Sequence, residues 1–401
     1  MPALAQRLQR TSVASSVQMS IRARELRDAG KPVISLAVGE PNFDTPRHAI
    51  EAGYQAALRG DTKYPPQDGT KALKEAIARK FKRDNDLDYD PNGEIIVSNG
   101  AKHSLYSAFM ATLDDGDEVI IPAPYWAAYP LMVQLIGGTP VFVTCPQNNG
   151  FKPRPEDIDA AVTPRTKWLM LNLPNNPTGA DCSREELAAI AAVMRKHPHV
   201  WILADDMYEH LRFDGERHPT IAEVDPSLKE RTLTVSGVSK TYAMTGWRIG
   251  FAGGPRPLIK AMANVQGHAT AGISSVGQAA AAAALDGPQD ESRAMIAAYK
   301  RRRDLVVDGL NACPGLVCHK PEGAFYVFPN VAGCLGKTTQ GRRKLDSDRD
   351  FAVALLEEQY VATVHGSSFG MAPYIRISYA TDDESLAEAC RRIRTFCAEL
   401  H

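Results

Sequence analysis

In the stretch SGVSKTYAMTGWRIG, residues 236–250, a lysine and an arginine stand eight positions apart behind an apolar run, TLTV, that reads as a buried strand. A loop lysine is ordinarily a solvated surface group. Burial or a neighbouring cation lowers its ammonium pKa, and the free amine then attacks a carbonyl carbon to form a Schiff base. Arg248 can supply that neighbouring charge, or it can hold a phosphate. Together, Lys240 and Arg248 suit a cofactor that carries both an aldehyde and a phosphate.

Other chemistry-bearing residues follow apolar runs in the same way. Gly100, Ala101 and Lys102 come after EIIVS at a strand-to-helix junction, where backbone N–H groups at a helix N-terminus favour an anion. Asp205 follows VWILA, and Tyr208 lies three positions on, so both can face one ligand. A carboxylate that keeps a pyridine nitrogen protonated makes the ring the electron sink that pyridoxal phosphate chemistry requires, and a tyrosine can bond the ring's phenolic oxygen. Asn176 sits in PNNPTG, a turn accounted for by its prolines and glycine, yet the run KWLMLN aims that turn at the same edge. Trp126 in PAPYWAAYP reads as core aromatic or as a ring stacked on a flat cofactor. Arg376 interrupts the alternating apolar strand YIRISYA, and a substrate carboxylate bound bidentately would be its anionic partner.

The elements that must hold these groups have a clear rhythm. EIIVS, EVIIPA, TPVFV, KWLMLN, VWILAD, TLTVS and RIGFA alternate with helical patterns such as SREELAAIAAVMRKH. That alternation predicts an α/β fold, a large domain with a mainly parallel seven-stranded sheet flanked by helices. Ligands of such sheets bind beyond the carboxyl ends of the strands, where four strand ends here carry small, amide, acidic, phenolic and amine groups. After about residue 290 the pattern changes to a long charged helix, GAFYVFPNV, a polar insert GKTTQGRRKLDSDRD, a further helix and YIRISYA, which predicts a smaller α+β domain. The expected organisation is an N-terminal arm and part of the small domain over 1–45, the cofactor-binding domain over 46–290 and the small domain over 291–401.

Bulk properties exclude other classes. Forty-six Lys and Arg against 47 Asp and Glu leave a formal charge of −1, so no overall field draws the chain to nucleic acid or an anionic membrane. The local runs KRDNDLDYD and YKRRRDL alternate with acids and read as exposed helix faces. Seven cysteines without CxxC or Cys/His ligand spacing predict reduced thiols in a cytoplasmic protein and no metal site; Cys390 and Cys397, on one helix face, read as packing. No run of 18 apolar residues indicates a membrane span. The N-terminus has no acid before Glu25 but runs straight into a helix pattern, so it reads as a structured arm rather than a transit peptide.

Taken in order, VGEPNFDTP, TKYPPQDG, PAPYWAAYP, NNPTG, SKTYAMTGWRIG and YIRISYA resemble, over nearly the whole length, the fold-type I, class I pyridoxal phosphate aminotransferases, in particular the prokaryotic aspartate and aromatic aminotransferase branch. The resemblance implies pyridoxal 5'-phosphate bound covalently to Lys240, which would also carry the proton between substrate and cofactor. It implies that Arg248 and the N–H groups of Gly100 to Lys102 hold the phosphate, that Asp205 pairs with the pyridine nitrogen, and that Tyr208 and Asn176 bond the ring oxygen. Trp126 would stack on the ring, and Arg376, with Gly39 and Asn176, would grip the substrate α-carboxylate. Tyr64 matches a tyrosine that reaches into a neighbouring subunit's phosphate site, which implies a homodimer with shared active sites. In acidic-substrate members a lysine at the position of Lys102 helps bind the distal carboxylate, with polar arm residues such as Ser16. Departures from the family pattern are Asn99, His103, RTSVASSV in place of a Lys-Pro-Ser-like arm, and no serine three before Lys240. The expected activity is two-step transfer of an amine from an L-amino acid, aspartate or aromatic, to a 2-oxo acid such as 2-oxoglutarate. A β-lyase would use the same lysine and sheet.

Overall fold

The computed structural model describes residues 4–11, 15–215 and 217–401, the side chains of 15–17 excepted. A two-residue strand, β1 (Ile34–Ser35), precedes the strands of the main sheet: β2 (Ile95–Asn99), β3 (Glu118–Ala123), β4 (Thr139–Thr144), β5 (Thr166–Asn172), β6 (Trp201–Asp205), β7 (Thr232–Gly237) and β8 (Ile249–Gly253). They form a seven-stranded sheet in the order β2-β8-β7-β6-β5-β3-β4. Both neighbours of β8 are antiparallel to it, and the other pairs are parallel. The α/β architecture expected from the alternating runs is therefore present.

Helices cover both faces, so the central strands are apolar at successive positions rather than at alternate ones. On one face, Leu169, Leu171, Ile202 and Ala204 pack against Leu187, Ile190, Ala191 and Met194 of the helix Arg184–Lys196. Ser183 and Glu186 close the start of that helix as a capping box, satisfying backbone donors that would otherwise be orphaned. On the other face, Trp168, Met170, Leu203, Leu233 and Val235 meet Leu105, Phe109, Ile259 and Met262 from the helices Ala101–Thr112 and Arg256–Ala269. Each fully buried Leu or Ile contributes on the order of 2 kcal/mol.

The remaining strands are β9 (Tyr326–Val327), β10 (Val361–Ala362), β11 (Val364–His365) and β12 (Ile375–Ser378). Antiparallel pairing gives a three-stranded sheet in the order β11-β12-β9, while β1 pairs with β10 in parallel. A continuous core joins Met19, Ala23 and Leu36 to Tyr299, Phe325, Phe351, Leu355 and Ile393, and reaches Met207 and Tyr208 just beyond β6. That contact sets β9 and β12 over the carboxyl edge of the main sheet.

The charged runs correct one expectation. In YKRRRDL, Arg302 is 7% exposed and Arg303 only 1%. Arg302 donates to Asp383 at 2.7 Å and to Asn42 at 2.8 Å and lies over the Phe43 ring, whereas Arg303 pairs with Asp214 and Asp304 and stacks on Phe213. In KRDNDLDYD, Asn85, Leu87 and Tyr89 are buried between exposed Asp86 and Asp88. Partners distant in sequence compensate Arg302 and Arg303, so YKRRRDL is not a plain solvated face, whereas in KRDNDLDYD the charged Lys82, Arg83, Asp86 and Asp88 are exposed as expected.

Candidate active site

The carboxyl ends of β2, β5, β6 and β7 and the start of β8 open into one cavity of about 540 Å³. Its far wall is formed by residues 20, 21, 24 and 37–40, together with Tyr326 and Arg376. Gly39, Ala101, Lys102, Trp126, Asn176, Asp205, Tyr208, Lys240, Arg248 and Arg376 all line this single space.

Lys240 follows the buried end of β7, and its Nζ donates to the Gly39 carbonyl at 2.7 Å. Burial lowers its pKa to about 8; Glu40 opposes that shift, and the cationic Arg376 and Arg248 add to it. At the end of β6, Asp205 Oδ2 accepts the Tyr129 hydroxyl at 2.6 Å, while the equally buried Oδ1 has no partner among the described residues. Burial raises this carboxyl to about 6, against the Tyr129 hydrogen bond and with help from Asp206. A cationic N–H donor would satisfy the orphaned oxygen.

The phosphate-sized end is shaped by two glycines. Gly100 has φ +75°, and a Cβ there would lie 2.2 Å from Arg248 Nη2; a Cβ on Gly250 would lie 2.2 Å from the Ala101 nitrogen. The bare Gly100 lets the Arg248 guanidinium approach the N-terminus of the helix Ala101–Thr112, whose cap has no side-chain acceptor, and the bare Gly250 lets β8 run against the backbone of that terminus. Arg248 stands in the left-handed region at φ 57° and donates to the Asn99 carbonyl at 3.2 Å and the Thr245 carbonyl at 3.0 Å. His103 Nδ1 accepts the Asn99 N–H at 3.3 Å, giving that departure a local structural part. Ser239, beside Lys240, also lines the cavity.

Arg376 on β12 is 4% exposed, with no carboxylate at ion-pair distance among the described residues. Its Nη1 donates to Asn176 Oδ1 at 3.1 Å, its guanidinium carbon lies 4.8 Å from the centre of the Tyr326 ring and 4.9 Å from that of Phe369, and its Nε has no partner among the described residues. A buried, uncompensated guanidinium demands an anion. Burial also lowers the Lys102 pKa, with Arg248 adding to the effect, and its Nζ lies 4.7 Å over the Trp126 ring.

Two of the expected residues do not line the cavity: Gly100, which lies against Arg248 at its edge, and Tyr64, which is 92% exposed. Ser16 of the arm lies outside the described side chains, as do residues 12–14. Sequence reasoning missed Tyr129, Asn172, Glu40 and Tyr326. Asn172 was detectable as the polar end of KWLMLN; its Oδ1 accepts the Asn176 N–H at 2.9 Å and its Nδ2 donates to the Asp205 carbonyl at 3.0 Å. Tyr129, three positions past Trp126, and Tyr326, inside an aromatic run, carry no sequence mark of their roles.

The donor set fits pyridoxal phosphate. A partly neutral buried amine meets an aldehyde, an arginine and bare helix N–H groups meet a phosphate, and an orphaned carboxylate oxygen meets a protonated ring nitrogen.

Comparison with known proteins agrees with this geometry. The family model for aminotransferase class I and II matches residues 31–393. The aspartate aminotransferase of Rhizobium meliloti (strain 1021) is 52% identical over 396 residues, 99% of this chain and 96% of that protein. The aspartate/prephenate aminotransferase of Cereibacter sphaeroides is also 52% identical, covering 99% of each chain. Among solved structures, the aspartate aminotransferase from Rhizobium meliloti superposes with a TM-score of 0.97 at 51% identity over 100% of both chains. The Thermus thermophilus aspartate aminotransferase with maleate gives 0.91 at 42% identity, over 99% of this chain and 100% of that one.

Proposed function

Because this chain belongs to the class I and II aminotransferases and is a pyridoxal phosphate-dependent enzyme, we propose that it moves the amine of L-aspartate to 2-oxoglutarate, with Lys240 as the proton carrier. The observation that carries the substrate choice is Lys102, which lines the cavity alongside Arg376 and, apart from the Lys240 and Arg248 assigned to the cofactor, offers a cation that has an aromatic ring but no carboxylate partner among the described residues. Two cations suit a substrate with two carboxylates. The names of the relatives favour transfer over the β-lyase alternative.

Bound here, pyridoxal phosphate supplies an aldehyde for amines and a ring that draws electrons from the substrate α-carbon. In this reading Asp205 keeps the ring nitrogen protonated with its free Oδ1, while Tyr129 holds the other oxygen. Arg376 takes the α-carboxylate. Asn176 gives its amide oxygen to Arg376, which leaves its NH₂ to donate to the ring oxygen beside the Tyr208 hydroxyl. Trp126 covers one ring face, and Arg248 with the Ala101 and Lys102 N–H groups neutralises the phosphate. Lys240, whose Nζ stands in the same cavity, would take the proton from the substrate α-carbon and return it on the cofactor side. A pKa lowered toward neutrality suits both halves of that task.

The proposal extends to a cytoplasmic homodimer. Exposed Ile50, Tyr54, Leu58 and Tyr64 supply an apolar strip, and a cleft lined by Thr45, Asn99, Trp247, Arg248 and Gly272 borders the phosphate end, where a partner's tyrosine would complete the site.

Kinetics with aspartate, phenylalanine and alanine as donors test the reading. Lys102→Ala should lower kcat/KM for aspartate by about 10- to 100-fold, the worth of one charged hydrogen bond, and leave alanine within about 3-fold. Parent turnover that favours phenylalanine over aspartate would replace the dicarboxylate reading with an aromatic one.

A further inference from the structure

Tyr326 is 1% exposed and lies where the proposed substrate and cofactor contacts meet. Its ring supports the Arg376 guanidinium at 4.8 Å, and its hydroxyl is 2.9 Å from the Tyr208 hydroxyl. On the third side it packs against Gly39, where an added Cβ would stand 1.9 Å from the Tyr326 oxygen. The carbonyl of that same glycine holds Lys240. Nothing in the function proposed above requires a phenol at this position, because a phenylalanine would fill the same volume and support the same guanidinium.

We infer that Tyr326 is a positioning residue whose hydroxyl donates to Tyr208, so that Tyr208 in turn directs its own proton to the phenolic oxygen of the bound cofactor. The inference rests on the proposed placement of that oxygen beside Tyr208. A phenol carries one proton. If Tyr208 spends its proton on the cofactor, its oxygen needs a donor, and Tyr326 is the neighbour at hydrogen-bond distance. The surroundings set the same direction. Burial raises both hydroxyls and the Arg376 cation opposes that at both, but Asp205 adds to the rise at Tyr208 alone, which makes Tyr326 the better donor and Tyr208 the better acceptor. A donor chain of two phenols polarises its last member, which stabilises negative charge on the cofactor oxygen. Because the same ring lies under Arg376, one side chain links the carboxylate-binding and ring-binding ends of the site.

The test uses the cofactor-loaded enzyme and its visible absorption as a function of pH. Tyr326→Phe should raise the pKa of the bound chromophore by roughly 0.5 to 1 unit, the size of one net hydrogen bond. Binding of succinate, a non-reacting dicarboxylate, read from the perturbed spectrum, should stay within about 2-fold, since the ring beneath Arg376 remains. Tyr326→Leu should raise the chromophore pKa and also weaken succinate about 5- to 30-fold. In a Tyr208→Phe background, Tyr326→Phe should produce no further pKa shift, because its effect passes through Tyr208. An unchanged or lowered pKa in Tyr326→Phe, or the same shift with Tyr208 absent, overturns the inference while leaving the proposed transamination intact. A parent protein that forms no chromophore with pyridoxal phosphate overturns both.

Discussion

The lysine gives the sharpest quantitative prediction, and the perturbation is pH applied to the cofactor-free protein. With its pKa lowered to about 8, Lys240 is neutral in about a tenth of molecules at pH 7, and in about nine-tenths at pH 9. An ordinary lysine at pH 7 would be neutral in only about 0.04% of molecules, so burial raises the reactive fraction roughly 200-fold. Capture of pyridoxal phosphate, followed by growth of the visible band after mixing and corrected with Lys240→Ala, should therefore accelerate between pH 6 and 9 with a midpoint near 8. Glu40 is the strongest influence opposing the shift, and it also accepts a hydrogen bond from Thr245. Glu40→Gln keeps an acceptor but removes the anion, so the midpoint should fall by about one unit and capture at pH 7 should quicken about 5-fold. A parent midpoint near 10, or a midpoint that rises in Glu40→Gln, would refute the argument that burial and local charge prepare this amine.

Three further outcomes follow from the same geometry. Asp205 is raised to about 6 in the fold, so between about pH 4 and pH 6 the native state holds the extra proton and stability falls as pH rises; above that window the penalty is on the order of 3 kcal/mol. Cofactor-free Asp205→Asn should accordingly melt higher than the parent at pH 7.5 and equally at pH 4, although it should bind the cofactor poorly; a lower melting temperature at pH 7.5 would count against the orphaned-carboxylate reading. Arg376→Gln should raise KM for every amino-acid donor by about 10- to 100-fold, the cost of a lost charged hydrogen bond to the α-carboxylate, and selectivity for one donor in that loss would move Arg376 away from the shared group. Gly39→Ala would force a methyl group against the Tyr326 hydroxyl, so calorimetry should show a loss of about 1–3 kcal/mol with weaker substrate binding, and an unchanged melting curve would mean that Tyr326 has room to move.

The sequence by itself determined the sheet and ten of the residues that line the cavity, and the reason is local. Seven apolar runs separated by amphipathic stretches can satisfy their backbones and bury both faces only as a helix-covered, largely parallel sheet, and a polar residue directly after such a run stands at its carboxyl edge. Lys240, Asp205, Asn176 and Lys102 were legible on that basis, and Arg376 was marked by being charged within an apolar alternation. Arg302 and Arg303 were misread as surface because their compensating partners Asp383 and Asp214 lie 81 and 89 positions away.

Only the tertiary structure decided which of these groups touch. Lys240 meets Gly39 across 201 positions, Arg376 meets Asn176 across 200, and Tyr208 meets Tyr326 across 118. These contacts depend on the core that sets β9 and β12 over the sheet edge, and no periodicity within either segment encodes that docking. The amine's lowered pKa and the carboxylate's raised one belong to the same level, because both come chiefly from the water that packing excludes.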